Sequence, residues 1–236
     1  LLAAQDIHLP YKRVAELTLV GNFFSIALPG AVSGDFVKAF YISKEVEGAR
    51  ARGFGSILFD RVAGVSALVL VSAAALLVEF NRFQGTPLLT GIQVFVSVAA
   101  GGVLGFYGYL FLIHDQNDPM MRVFEWMSGR VRGFGSVLRI YQGIKVYRSK
   151  AGAVFAALLI SAMIHLSVCA CAVLYLHALE VEGVSRSAVF VVVPLGLLVT
   201  AIPIMPAGVG TGHAAFSWLF HFLGTERGAD VFSLVA

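Results

Sequence analysis

Charge is what this sequence has least of. Of its 236 residues only 13% are Asp, Glu, Lys or Arg, where a soluble domain carries roughly 25%. Apolar residues make up 58% and the mean hydropathy is +0.84. A water-soluble monomer is thereby excluded, because a soluble fold of this size could not hide so many apolar side chains, whereas a lipid-facing surface can itself be apolar. Cysteine is equally scarce. Cys169 and Cys171 cannot form a disulfide framework, and at i, i+2 in an apolar run they point to different sides of a helix. The sequence has no initiator Met, begins Leu1-Leu2 and stops in the apolar run Val231–Ala236. It reads as a piece of a longer polypeptide, one membrane domain over 1–236, and no signal peptide can be judged from it. There is no P-loop, no dinucleotide fingerprint and no Ser/His/Asp arrangement, so no nucleotide cofactor, no nucleic acid and no catalytic nucleophile is expected.

What is present is a set of long apolar runs. Crossing about 30 Å of hydrocarbon takes roughly 20 helical residues, and stretches of that kind occur at Val62–Val78, Leu88–Ile113, Ala151–Leu179 and Ser187–Ile204. Two further stretches, Val14–Leu28 and Ala214–Leu223, are short and interrupted by Asn22, Pro29, Gly30 and His221, as in half-helices or re-entrant segments. The expected fold is therefore an all-α polytopic membrane protein with about four full spans and two broken segments. Basic residues cluster in 35–61 (Lys38, Lys44, Arg50, Arg52, Arg61) and in 114–150 (from Arg122 to Lys150), while the links Glu79–Pro87 and Glu180–Ser187 hold one Arg each. The positive-inside rule makes the two basic segments cytoplasmic. Two spans separate them, as a shared side demands. Within the second, Met121, Phe124, Met127, Val131, Phe134, Leu138 and Tyr141 recur every three or four residues with Arg and Lys between them. That spacing predicts a cytoplasmic interfacial helix over Pro119–Lys150. The string RGFGSIL at Arg52–Leu58 returns as RGFGSVL at Arg132–Leu138, an echo that suits either a duplication or chance.

Ionisable groups beside broken helices are the places to look for chemistry, because a charge in hydrocarbon costs at least about 2.5 kcal/mol. In Asn22–Phe40, Pro29-Gly30 ends a helix and Gly34 permits a turn just before Asp35 and Lys38. Asp35 and Lys38, at i, i+3, share a helix face and can pair with each other or with a head group. Asp60-Arg61 opens the Val62–Val78 span, where the guanidinium can grip a carboxylate or a lipid phosphate or simply anchor at the interface. In Thr200–Gly224, Pro203, Pro206, Gly208, Gly210 and Gly212 exclude an ordinary helix between apolar flanks. Unwound backbone at membrane depth belongs around a protein-lined or wet cavity, and a helix starting after Gly212 would turn its amides toward an anion such as phosphate. His213 and His221 lie roughly 80° apart on that helix. With His165 and His177 better read as packing groups, no metal is expected.

LPGAVSGDFVKAFYISK, the Asp60-Arg61 step into a span, and PIMPAGVGTGHAA with a trailing LG together resemble the lysylphosphatidylglycerol synthase transmembrane family. The likeness runs from about Asn22 to the last residue. Lys38 stands where the family usually has arginine, Ala207 where it has glycine, and His213 where it has a glutamate. The resemblance implies a flippase-like domain of about eight spans, so one or two would precede Leu1 and at least one would follow Ala236. It also implies translocation of an anionic or zwitterionic lipid, such as an aminoacylated phosphatidylglycerol or a polyprenyl-phosphate-linked molecule, between leaflets of a bacterial or archaeal plasma membrane. The alternative it carries is the membrane half of a lipid-modifying enzyme, with a fused or associated aminoacyl or glycosyl transferase. The expected lipid-binding residues are Asn22, Pro29, Gly34, Asp35, Lys38, Asp60, Arg61, Pro203, Pro206, Gly208, Gly210 and His213, the expected partner is membrane phospholipid, and a homo-oligomer is compatible with all of this.

Overall fold

The computed structural model describes residues 1–27, 33–46, 50–81, 87–114, 118–131, 134–181, 183–200 and 210–235. Its elements are α1 (Tyr11–Ala27), α2 (Ser33–Glu45), α3 (Arg50–Val78), α4 (Pro87–Leu112), α5 (Pro119–Ser128), α6 (Phe134–Lys145), α7 (Ala151–Ala178), α8 (Arg186–Thr200), α9 (Thr211–His221) and α10 (Gly228–Val235). Short 3-10 turns occupy Leu2–Gln5 and Val146–Lys150, and no strand occurs among the described residues. A helix satisfies its own backbone donors and acceptors, which is what a lipid environment requires.

Three stretches among the described residues are long and apolar enough to cross a bilayer: Ala51–Val78, Leu89–Leu112 and Phe134–Ala178. They overlap the first three expected spans: α3 starts twelve residues before its apolar run, whereas α4 and α7 match theirs to within one residue at each end. The fourth expected span, Ser187–Ile204, contains α8, which has 15 residues and so rises only about 22 Å. The remainder of that run lies outside the described residues. The short runs expected at Val14–Leu28 and Ala214–Leu223 fall on α1 and α9, of 17 and 11 residues.

The expected single helix over Pro119–Lys150 is instead two. Asp118 caps α5 by accepting from the amides of Met120 (3.0 Å) and Met121 (3.1 Å), Pro119 takes the first turn, and Gly129 ends the helix with its amide on the Glu125 carbonyl at 3.3 Å. Glycine is a poor helix former, so the apolar periodicity continues across a break that the backbone does not span.

The helices pack as two compact units. One gathers Leu1–Ala27, α2 with α3 up to Ala63, and Leu104–Ala157; the other gathers Gly64–Val103 and the chain from Leu158 onward. In the first, Ile7, Leu17 and Ile42 form a small core with Ile57. Phe59 stacks on Tyr147 with ring centroids 4.1 Å apart, and both are fully buried. The Gln5 side-chain amide donates to the Gly143 carbonyl at 2.5 Å, and Arg52 Nη1 donates to the Gln5 carbonyl at 3.2 Å. The two copies of the repeated string do different jobs. Gly55 of the first is buried where a Cβ would stand 3.8 Å from the Ile140 carbonyl, whereas a Cβ on Gly135 of the second would meet open space.

In the second unit α8 is the core. Ala188, Val189, Val191, Val192, Val193 and Leu195 are all buried, packed with Leu76 of α3, Val96 of α4, Cys169 and Ala172 of α7, and Phe216, Leu219 and Phe220 of α9. A helix apolar all round is one enclosed by its neighbours. Gly196 is needed for that enclosure, since a Cβ there would lie 2.3 Å from the Phe216 ring. Polar side chains act as inter-helix fasteners: Ser72 Oγ donates to the Val191 carbonyl at 3.3 Å, and His165 Nε2 lies 3.1 Å from the Gly64 carbonyl, in keeping with a packing histidine.

Candidate functional site

The most organised charge group lies at the α1–α2 hairpin. One end of the hairpin is tied by Arg13, which donates to Glu45 (2.7 Å) and Glu16 (2.9 Å). Toward the other end two glycines let the helices touch. A Cβ on Gly34 would stand 1.9 Å from the Gly21 carbonyl oxygen, and a Cβ on Gly21 would stand 2.2 Å from Cε of Lys38. The Lys38 stem therefore lies across Gly21, in a channel that any other residue would fill. Ser33 Oγ adds a hydrogen bond to the Phe24 carbonyl at 3.0 Å.

This packing buries Asp35 in the first turn of α2, where the helix dipole favours a carboxylate. Arg61 of α3 reaches it with both arms of its fork, Nε to Oδ2 at 2.7 Å and Nη2 to Oδ1 at 3.2 Å. Lys38 Nζ stands 3.7 Å from Oδ1. The exposures differ in an informative way: the Asp35 side chain is 5% exposed, that of Lys38 20% and that of Arg61 55%. Two cations surround one buried carboxylate. The guanidinium spends only two of its five N–H donors on Asp35, and its side chain is more than half exposed. Such a guanidinium, oriented from behind, is suited to hold a second oxyanion bidentately.

Of the sequence-derived residues, Gly34, Asp35, Lys38 and Arg61 thus come together. Asp60 is exposed and forms no ion pair among the described residues, though its charge acts on the neighbouring Arg61. Asn22 is exposed beside Gly21. Gly210 has φ +85° at the start of α9, the left-handed region that glycine tolerates, and its carbonyl accepts from Ala214. His213 Nε2 is 2.9 Å from Ser233 Oγ of α10. Pro29, Pro203, Pro206 and Gly208 lie outside the described residues. No group of three His, Cys, Asp or Glu side chains able to hold a metal occurs among the described residues.

A second polar group escaped the sequence reading. Asp118 is buried and accepts from Tyr109 Oη (2.5 Å) and Tyr141 Oη (2.7 Å), while Lys145 Nζ lies 2.9 Å from it and donates to the Ile113 carbonyl at 3.1 Å. Burial pushes the Asp118 pKa up, but hydrogen bonds from Tyr109, Lys145, Tyr141 and the Met121 amide outweigh it and hold the carboxyl well below the usual range. The partners named here come from α4, α5, α6 and the residues beside them, so this group fastens those three helices together. Asp118-Pro119 is a recognisable helix start; the missing signal was its pairing with Lys145, 27 positions on.

The described residues are helical almost throughout and include helices long and apolar enough to cross a membrane, which defines a polytopic membrane protein. Residues 1–234 match the family described as lysylphosphatidylglycerol synthase TM region, and the chain belongs to that family. No curated protein and no solved structure matches it.

Proposed function

We propose that the chain is a flippase-like lipid transporter of the plasma membrane, carrying an anionic or zwitterionic phospholipid or a polyprenyl-phosphate lipid between leaflets. The observation that carries this reading is the Arg61–Asp35–Lys38 group: two cations on one buried carboxylate, which orients a half-exposed guanidinium. A phosphate meeting Arg61 and Lys38 replaces water, while Asp35 holds the guanidinium and can meet a cationic portion of the head group. Transport requires binding groups and two conformations rather than a reactive atom. In this reading 35–61 and 114–150 face the cytoplasm, and α5 and α6 lie on the leaflet surface. The exposed Met120, Val123 and Trp126 (60% exposed), with Arg130 over the Trp126 ring at 3.9 Å, support that placement.

The family description names the membrane region of a synthase. That wording supports a second reading, in which the domain is the membrane half of a lipid-modifying enzyme and delivers substrate or product to a transferase.

The test is lipid movement in proteoliposomes. Arg61→Ala is expected to abolish it while the protein still folds, since Lys38 remains beside Asp35. Arg61→Lys is expected to restore only part, because an ammonium cannot grip carboxylate and phosphate with a fork. Unchanged transport in Arg61→Ala reduces this residue to an interfacial anchor.

A further inference from the structure

The unit built around α8 contains a groove with a different character. It is open along one side, holds about 670 Å³, and runs between α3, α7 and α8, a size within the roughly 300–1,000 Å³ of sites for small apolar ligands. Leu70, Ala74 and Val78 of α3, Leu166 of α7 and Phe190 of α8 wall it, and its polar lining is confined to Arg186 and Ser187 at the start of α8. The space comes from sequence: Ser72-Ala73-Ala74-Ala75 gives α3 a stretch of small residues, held against α8 by the Ser72 bond to the Val191 carbonyl. The polar end is fixed as well. Ser185 Oγ donates to Glu79 Oε1 at 3.0 Å and Ser187 Oγ donates to the same oxygen, which locks the end of α3 to the start of α8. Between those two serines Arg186 is exposed and forms no ion pair among the described residues.

We propose that this groove binds one acyl chain of a membrane phospholipid, with the phosphate against Arg186. A neutral glycolipid would leave the guanidinium unmatched, and a soluble anion would leave the apolar walls unused. Only an amphiphile with an anionic end answers both features. From Leu70 to Val78 the wall extends along about 12 Å of helix, ending at the link Glu79–Pro87, so the phosphate end of the bound lipid lies toward that link. This goes beyond the transport reading, since a lipid can occupy the groove whether or not the Arg61 group moves one.

The experiment uses the protein in nanodiscs containing phosphatidylglycerol with a diazirine in its acyl chain, with adducts mapped by mass spectrometry. Adducts are expected to concentrate on Leu70–Val78, Leu166 and Phe190, in excess over the exposed α4 residues Val94 and Val98, and to be lost in Ala74→Trp. If that variant melts early, Ala74→Leu reads the same loss with less bulk. In native mass spectrometry Arg186→Gln should retain phosphatidylglycerol roughly fivefold less well, as one interfacial cation is worth, with diacylglycerol retention unchanged. Adducts no denser in the groove than on α4, adducts that persist in a folded groove-filling variant, or equal retention of phosphatidylglycerol by Arg186→Gln each overturn the proposal. Arg61→Ala serves as the separating control. Groove adducts that survive in it uphold this site even if transport is also unchanged, an outcome that sinks the transport reading alone.

Discussion

Gly21 and Gly34 decide where the charges of α2 go. Because neither carries a Cβ, the Lys38 stem crosses α1 at Gly21 and the first turn of α2 seats against the Gly21 carbonyl, which buries Asp35 with Lys38 and Arg61 as its counter-charges. The same geometry explains why Asp35 and Asp60, alike in type, differ in role: one is walled in by a hairpin, the other stands exposed on α3. Gly34→Ala should therefore be costly out of proportion to one methyl group, by about 1–3 kcal/mol as for other overpacked sites. It should also uncouple Arg61 from Asp35 and weaken retention of anionic lipid. Gly64→Ala is the control, since a Cβ there meets nothing within 4 Å. Thermal melts in detergent together with lipid retention check both effects. Equal melting of the Gly34 and Gly64 variants counts against the hairpin as the positioning device.

At the scale of elements, α4, α5 and α6 are held by one buried ion pair rather than by apolar area alone. Asp118 caps α5, receives both tyrosine hydroxyls and neutralises Lys145, which in turn caps the end of α4 through the Ile113 carbonyl. Asp118→Asn keeps an acceptor at the cap but removes the counter-charge beside a buried ammonium, so a loss of about 3–5 kcal/mol is expected. The sign of the pH dependence follows from the lowered pKa. A depressed carboxyl stabilises the fold above its unfolded value of about 3.9, and that contribution disappears as pH falls from there through the folded value. The native protein should thus lose melting temperature on acidification below about pH 4, with a shallower slope in Asp118→Asn. Circular dichroism melts from pH 7 downward measure this; parallel slopes would assign the acid sensitivity to other carboxylates.

For the whole molecule, the sided distribution of charge predicts topology. In a Cys171→Ser background, which removes the exposed thiol and leaves the buried Cys169, an impermeant maleimide applied to right-side-out vesicles should label Asn81→Cys and spare Lys44→Cys and Arg130→Cys. Inside-out vesicles should reverse the pattern, and labelling of all three from one side would overturn the orientation. The sequence by itself determined the class of the protein and the positions of its long helices, because apolar length and scarce charge are sums along the chain that no packing can alter. It also determined the family, through Pro-, Gly- and Asp-bearing strings at fixed spacing, and it marked Asp35, Lys38 and Arg61 as groups too costly to leave alone near hydrocarbon. Only the tertiary structure decided which charges meet: Arg61 with Asp35 across 26 positions, and Lys145 with Asp118. It likewise decided that the amphipathic segment after Asp118 breaks at Gly129, and that a run of alanines on α3 becomes the wall of a groove. Periodicity reports the face of one helix, whereas a contact between helices depends on the volumes of two faces at once, and those become definite only when the helices have packed.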